Sequence, residues 1–495
     1  MRMMLGAVAV LALAGCAGVG GAEEQAPRVK VAQGELQGGV EGGVNVFRNI
    51  PFAAAPVGTL RWAPPAAAKS WSGVREAVKA GPSCPQTMLA NDAPNTGGAY
   101  GPISEDCLQL NVTAPVGAKA APVMVWLHGG SHRVGNGWIY DGASFAQDGI
   151  VVVTANYRLG ALGYLSHPGL GEKSGNYGLM DQIAALQWVK ANIAAFGGDP
   201  GKVTLAGESA GGLSTMAVLA TPSARGLYAQ AIVQSGGGWY PVQTVAQQEE
   251  KGVKLMAPAG ATAQSTLAEL RALPVEKLAT LAGEYGPYPD GVLMPETPTQ
   301  AIAHERFPDV PIMIGWNSGE DTLMGPSPLP EATLKQIPPV ARMVYPKEAA
   351  TSDEALARVI FTDSLFGASA RWVAAQMAAG APSYLYHFSY IPEALRGKRT
   401  RAGHATELPY VFKSWGKDVG DIIAPDKPLA DLMHACWAGF IKTGAPACGS
   451  PAWPAYTAQS DQLMEFNEAS GVRTGFKKAP FTAQEMVWLP QLGLK

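Results

Sequence analysis

Ser209 sits in Gly207-Glu208-Ser209-Ala210-Gly211, between the apolar run 203–206 and the stretch AGGLSTMAVLA at 210–220. A G-x-S-x-G pentad at a strand-to-helix junction forces a sharp turn that only small flanking residues permit. The turn lifts the serine Oγ clear of the sheet. The Ala210 amide then lies at a helix N-terminus, free to donate to a developing oxyanion. A serine hydroxyl is a weak nucleophile until a positioned base takes its proton. The chemistry therefore needs further donors, a histidine and an acid. Donors are available in Leu127-His128-Gly129-Gly130-Ser131, directly after the apolar run 123–127, and the candidate oxyanion amides are those of Gly130, Ser131 and Ala210.

Strand-turn-helix sites of this kind order their residues serine, acid, histidine along the chain. Four histidines follow Ser209. His304 comes before any good acid loop, His387 lies within the strand-like YLYHFSY, where a satisfied core histidine is expected, and His434 lies on a helix face next to Cys436. His404, in RAGHATE, falls in a loop between a strand and a helix, where a movable imidazole is expected. The acid comes from Trp316-Asn317-Ser318-Gly319-Glu320-Asp321. By spacing alone either Glu320 or Asp321 could serve, and Asp321 could instead cap the next element. His132 precedes the serine and is not a base candidate. Glu208, Trp239 and Tyr240 are candidate substrate-pocket residues, with plain packing as the alternative for the two aromatics. His132 and Trp138 pose the same choice beside the oxyanion segment.

The elements that must hold these groups are legible as short, nearly continuous apolar runs at 123–127, 150–154, 203–206, 231–234, 310–315 and 383–388. Such runs suit strands buried on both faces of a mostly parallel sheet. Helical patterns lie between them, including Asp181 to Phe196, stopped by Gly197-Gly198, and Pro428 to Thr443, stopped by Gly444. Alternation of the two predicts an α/β fold. Segments 240–300 and 325–380 read as helical insertions capping the sheet within one catalytic domain, 29–495.

The chain has 495 residues, 47% hydrophobic and 16% charged, with a net charge of -3, which supplies a large core and excludes a disordered chain. No Lys/Arg cluster stands out, which argues against a nucleic-acid surface. No metal-ligand cluster is evident and no cofactor is expected. The N-terminus MRMMLGAVAVLALAGC carries an early Arg, an apolar stretch from Leu5 to Ala14 and then small residues, a secretory signal pattern. Leu13-Ala14-Gly15-Cys16 resembles the bacterial lipobox, so 1–15 reads as a lipoprotein-type signal peptide, Cys16 as the lipidated residue and 16–28 as a tether, with the membrane as a partner through that anchor. A simple export signal cut after Ala22, giving a soluble periplasmic or secreted protein, is the alternative. Export puts Cys84, Cys107, Cys436 and Cys448 in an oxidising compartment. Three connectivities are possible, and local pairing, 84 with 107 and 436 with 448, is the simplest; each bond would stabilise by roughly 3 kcal/mol. Cys436 could instead be a free, buried thiol.

Several longer segments match a known family. FGGDPGKVTLAGESAG at 196–211 and SEDCLQLNV at 104–112 resemble the two signatures of the type-B carboxylesterases, the α/β-hydrolases that include the cholinesterases. IPFAAAPVGTLRW at 50–62, WSGV at 71–74, NYGLMDQ at 176–182, QSG at 234–236 and GHATELPYVF at 403–412 extend the likeness over about 45–445. His128 to Ser131 is similar to the HGGG segment of esterases, with serine at 131 where glycine or alanine is more usual. The resemblance implies the α/β-hydrolase fold and a serine carboxylesterase that works through an acyl-enzyme. It also implies Ser209 as nucleophile, Glu320 rather than Asp321 as acid, His404 as base, a Cys84–Cys107 bond, and a buried Arg61–Glu105 ion pair beside it. A small-molecule ester is the implied partner. A lipase, an amidase or a non-catalytic binding relative are the alternatives, the last disfavoured because all three triad residues are in place. Cholinesterases hold a quaternary ammonium on a tryptophan in the first disulfide loop. Residues 85–106 contain no tryptophan, Tyr100 being the one aromatic, which disfavours a choline ester.

Overall fold

In the run Ala121–Leu127, Val123, Val125 and Leu127 turn to one hydrophobic core and Met124 and Trp126 to another. The two-residue period of a strand sends alternate side chains to opposite faces. A strand apolar at every position must therefore be covered on both. The computed structural model describes residues 26–87, 102–171, 175–240, 242–414 and 423–494. Cys16, Tyr100 and the proposed signal segment lie outside the described residues.

The strands are β1 (Arg28–Val31), β2 (Gly34–Gln37), β3 (Gly39–Glu41), β4 (Val44–Pro51), β5 (Val74–Glu76), β6 (Gln109–Pro115), β7 (Ala121–Leu127), β8 (Val151–Ala155), β9 (Gly198–Glu208), β10 (Gln230–Gln234), β11 (Ile312–Asn317), β12 (Ser383–Phe388), β13 (Gln462–Phe466) and β14 (Gly471–Thr474). An eleven-stranded sheet runs β14-β13-β12-β11-β10-β9-β7-β8-β6-β4-β3, and β1, β2 and β5 form a small separate sheet. From β8 through β7, β9, β10, β11 and β12 to β13 every pairing is parallel, and the antiparallel pairings lie at the two ends. The large, mostly parallel sheet flanked by helices is the expected α/β-hydrolase architecture.

Two boundaries differ from the sequence reading in ways that bear on function. β9 extends beyond 203–206 to Glu208, so the strand delivers its chain directly to Ser209. The helix expected to start at Asp181 starts at Tyr177 and ends at Asn192, with 193–196 forming a tighter last turn before Gly197 at φ +83°. Asp181 does not begin the helix: its carboxylate is buried and accepts from Arg158 Nη2 at 2.8 Å and from the Arg158 amide at 3.0 Å. On one face of the sheet lie the helices Tyr177–Asn192 and Ala210–Ala220, and on the other Lys427–Thr443, which ends at Gly444, φ +78°.

The 240–300 segment holds short helices. The 325–380 segment includes Asp353–Thr362 and Ser369–Met377, joined through the widened π-turn Asp363–Ala368. Both local cysteine pairs are bonded, Cys84–Cys107 and Cys436–Cys448. Arg61 grips Glu105 through Nε at 2.8 Å and Nη2 at 2.5 Å, and its Nη1 donates to the carbonyls of Arg271 and Leu273 at 2.9 and 2.7 Å. The disulfide-bearing segment is thus tied to the 240–300 insertion.

Candidate active site

Ser209 is strained in the way its flanking glycines require. Its φ is +56° and ψ -123°, a conformation that side chains rarely adopt and that persists only when the surroundings enforce it. Its amide donates to the Gln234 carbonyl on β10 at 2.9 Å, and its carbonyl accepts from the Leu213 amide at 2.9 Å. A Cβ on Gly207 would lie 2.4 Å from the Gly211 carbonyl carbon, and one on Gly211 would lie 1.9 Å from the Leu127 carbonyl oxygen. Nothing larger than glycine fits at either end of the turn, and Ser209 itself stays half-buried.

Glu320 opens the short turn after β11, and His404 follows β12. Glu320 Oε2 lies 2.5 Å from His404 Nδ1, while Glu320 Oε1 accepts from Ser235 Oγ at 2.7 Å and from the Asn317 amide at 2.7 Å. His404 Nε2 faces the serine turn, 3.1 Å from Oε1 of Glu208, the residue before Ser209. The ring does not sit in an open, movable loop as expected: His404 is buried, 4% exposed. The acid turn and the histidine loop are stitched together along their backbones. Gly319 N donates to the Ala402 carbonyl at 2.7 Å, Ala402 N to Ser318 Oγ at 2.9 Å, and His404 N to Thr322 Oγ1 at 2.9 Å.

The two candidate acids separate cleanly. Asp321 is held instead by arginines: Arg401 Nη2 donates to its Oδ2 at 2.8 Å, and Arg358 approaches the same oxygen to 3.7 Å. Among the other histidines, His387 is buried 3.5 Å from Glu465, His434 Nδ1 meets the Val411 carbonyl at 2.7 Å, and His304 pairs with Glu296.

Three buried carboxyls surround one imidazole. Glu407 is fully buried and accepts from Gln234 Nε2 at 2.9 Å and Asn317 Nδ2 at 2.5 Å. Burial pushes the Glu208 carboxyl up to about 8 and raises Glu407 as well. For His404 burial disfavours the charged ring, but Glu208, Glu320 and Glu407 outweigh it and lift the pKa to about 9. A base must be neutral to accept a proton, so this field holds back activity at low pH. Glu208→Gln removes one of the charges that stabilise the imidazolium, so His404 loses its proton at lower pH. The acid limb of kcat/KM should move down by on the order of one pH unit. A pH profile of purified protein checks this, and an unchanged or upward-shifted limb contradicts it.

Gly130, Ser131 and His132 follow one another at φ +107°, +56° and +53°. None of the amides of Gly130, Ser131 and Ala210 donates to a backbone carbonyl among the described residues. A Cβ on Gly129 would stand 3.2 Å from Ser209 Cβ, so this loop lies directly over Ser209. Ser131 is exposed.

The aromatic pocket candidates are packed away. Trp239 is buried, its Nε1 donating to the Ser364 carbonyl at 2.8 Å and its ring 5.5 Å from Trp372. Tyr240 is buried and its hydroxyl donates to the Leu213 carbonyl. Trp138 lines a recess with Asn111 and Tyr140 against the sheet. An aromatic that does approach the site is Phe366, 5.9 Å from the His404 ring. It sits in the π-turn, which no sequence pattern had flagged. The sequence also does not single out Ser235, Asn317 and Glu407, although Ser235 and Glu407 lie in segments that match the family and Asn317 lies in the acid loop. Glu407 follows His404 by three residues, the separation that puts two side chains on one side of a helical turn.

The sequence profile described as Carboxylesterase family matches residues 25–338 and 335–484. The chain is 36% identical over 481 residues to fumonisin B1 esterase of Sphingopyxis macrogoltabida, covering 90% of this chain and 87% of that one. It is 33% identical over 475 residues to para-nitrobenzyl esterase of Bacillus subtilis (strain 168), covering 88% and 94%. A solved PNB esterase superposes with a TM-score of 0.80 at 32% identity over 92% of this chain and 99% of the other.

Proposed function

Because the chain belongs to the carboxylesterase family and is a carboxylic-ester hydrolase, we propose that Ser209 is its nucleophile, His404 its base and Glu320 the acid that orients that base. The observation that carries the assignment is the 2.5 Å contact of Glu320 Oε2 with His404 Nδ1, with the opposite ring edge turned to the serine elbow at Glu208. Nδ1 then keeps its hydrogen, and Nε2 is the nitrogen that accepts one.

Ser209 Oγ attacks the ester carbonyl carbon as His404 Nε2 takes its proton. The carbonyl oxygen becomes an oxyanion received by the amides of Gly130, Ser131 and Ala210, each worth about 10²–10³-fold in rate where it is aligned. The tetrahedral intermediate collapses, the C–O bond to the alcohol breaks, and Nε2 returns the proton to the leaving alkoxide. Water then attacks the acyl-Ser209 ester by the same route and releases the carboxylic acid.

Small uncharged esters are the proposed substrates, in keeping with a relative named for para-nitrobenzyl esters and with the absence of a tryptophan from the first disulfide loop. The test is a panel of p-nitrophenyl and p-nitrobenzyl esters of increasing acyl length, run with fluorophosphonate labelling and peptide mapping. Turnover of the short esters with stoichiometric label on Ser209 is expected. Turnover with label elsewhere would overturn the residue assignment.

We also propose that the protein is exported and anchored through a lipid on Cys16, on the strength of the charged start, the apolar stretch and Leu13-Ala14-Gly15-Cys16. Several acyl chains on one terminus hold a protein durably where one chain is marginal. Mass spectrometry of the mature N-terminal peptide should find acylated Cys16. An unlipidated terminus at residue 17 or beyond would reject the anchor.

A further inference from the structure

We propose that His132 is a positioning residue for the oxyanion donors, joining the loop that carries the Gly130 and Ser131 amides to the helix that begins with the Ala210 amide. The proposal rests on the reading of Ser209 and these amides given above.

The first observation is strain. Ser131 and His132 lie consecutively at φ +56° and +53°, a region few non-glycine residues occupy and two in succession seldom do. Such conformations persist where surrounding contacts over-determine them, and they cluster at functional sites. Here the contacts converge on one ring. His132 is 1% exposed. Its Nδ1 lies 3.2 Å from the Tyr285 carbonyl, which can only accept, so Nδ1 carries the hydrogen. Nε2 is therefore a bare acceptor, and it receives the Ser214 hydroxyl at 2.9 Å. Ser214 Oγ in turn accepts from Gln182 Nε2 at 2.9 Å, and the Ala210 backbone meets the same His132 ring. The His132 ring lies 4.8 Å from that of Tyr164, and its main-chain carbonyl accepts from Gly160 N at 2.7 Å. Burial keeps the imidazole neutral, its pKa lowered to about 4, so the bonding pattern holds across the working pH range.

The second observation is what the ring connects. Ser214 stands four residues after Ala210 on the helix Ala210–Ala220, and so on the same side of it. One face of the oxyanion hole comes from the loop and the other from the first turn of this helix. The His132–Ser214 bond spans the two, and Tyr285 adds the 240–300 insertion as a third support. An oxyanion hole acts through donors fixed before charge develops. A tie between its two halves bears on the transition state and leaves ground-state binding alone.

His132→Phe keeps a ring of similar size in the packing but can neither donate nor accept. Ser214→Ala cuts the same bond from the other end with almost no change in volume. A fluorophosphonate titration is run first: stoichiometric labelling of Ser209 in each variant shows that the nucleophile reading stands, and its failure in the unmodified protein would locate the fault there instead. On titrated sites, kcat for p-nitrophenyl butyrate is expected to fall about 10- to 50-fold in either variant, less than the cost of deleting a donor outright. KM should change by no more than about threefold. The inhibition constant of a trifluoromethyl ketone, whose adduct with Ser209 carries the oxyanion, should rise by the same factor as kcat/KM falls. The double variant should lose far less than the product of the two single losses, since the His132–Ser214 bond is already absent from each single variant. Fully titrated His132→Phe with kcat/KM within threefold of the unmodified protein would overturn the proposal, as would single losses that multiply in the double variant. If His132→Phe fails to fold, Ser214→Ala decides the matter on the same two readouts, kcat and ketone affinity.

Discussion

Replacing Ser209 by alanine is expected to lower kcat for a short p-nitrophenyl ester by about 10⁴-fold or more and to abolish fluorophosphonate labelling. The size follows from the chemistry: without Oγ no acyl-enzyme forms, and water must be activated directly in a site built around a covalent intermediate. The fold should not suffer, because the bonds that hold the elbow are backbone bonds. The Ser209 amide to the Gln234 carbonyl and the Leu213 amide to the residue 209 carbonyl are both retained by alanine. Thermal denaturation alongside the assay checks this. A melting temperature close to that of the unmodified protein, with the activity gone, separates chemistry from folding. Hydrolysis near the original level would defeat the assignment.

Glu320→Gln carries the second large effect, expected at about 10³–10⁴-fold in kcat, and its reason lies in which way the new amide must turn. Glu320 Oε1 accepts two hydrogen bonds, from Ser235 Oγ and from the Asn317 amide. In glutamine the carbonyl oxygen must stay there, since turning the NH₂ to that side would set it against the Asn317 N–H. The NH₂ is left facing His404 Nδ1, which becomes an acceptor. The ring hydrogen then moves to Nε2, and the base faces Ser209 already protonated. Geometry and packing are preserved while the tautomer is inverted. The checks are the kcat of the variant and a nitrogen-resolved NMR spectrum of His404. A variant within tenfold of the original rate, with the hydrogen still on Nδ1, would show that Glu320 does not set the tautomer.

Much of this arrangement is written locally in the chain, and what is written there was legible. The elbow is one such case, since the need for glycine at 207 and 211 is a property of the turn itself. The strand cores are another, because continuous apolar runs admit one kind of sheet. The cysteines are a third, with both bonds closing short loops. The supporting groups were not legible, because their roles are relations between distant residues. Nothing near Ser235 announces that Glu320, 85 residues on, will accept its hydroxyl. Asn317 stands beside the acid in the sequence, yet its double service to Glu320 and Glu407 depends on the histidine loop folding against it. A loop position such as that of His404 predicts mobility. Its burial comes from pairing with the acid turn, which no local pattern encodes. Trp239 and Tyr240 look alike in sequence whether they line a pocket or pack a core. Where each polar atom finds its partner decides that question.

The end of β10 has a consequence for precision. Gln234 receives the amide of Ser209 on its carbonyl and holds Glu407 with its side chain, and the next residue, Ser235, holds Glu320. Ser209 and Glu320 are thus surveyed from one two-residue datum rather than from each other. A small slide or tilt of β10 within the sheet carries both marks together, so the error is shared and cancels in the distance that matters. Those parts of the insertions at 240–300 and 325–380 that do not reach the site, as Tyr285 and Phe366 do, can then drift in length and sequence without changing the spacing of Ser209 and Glu320.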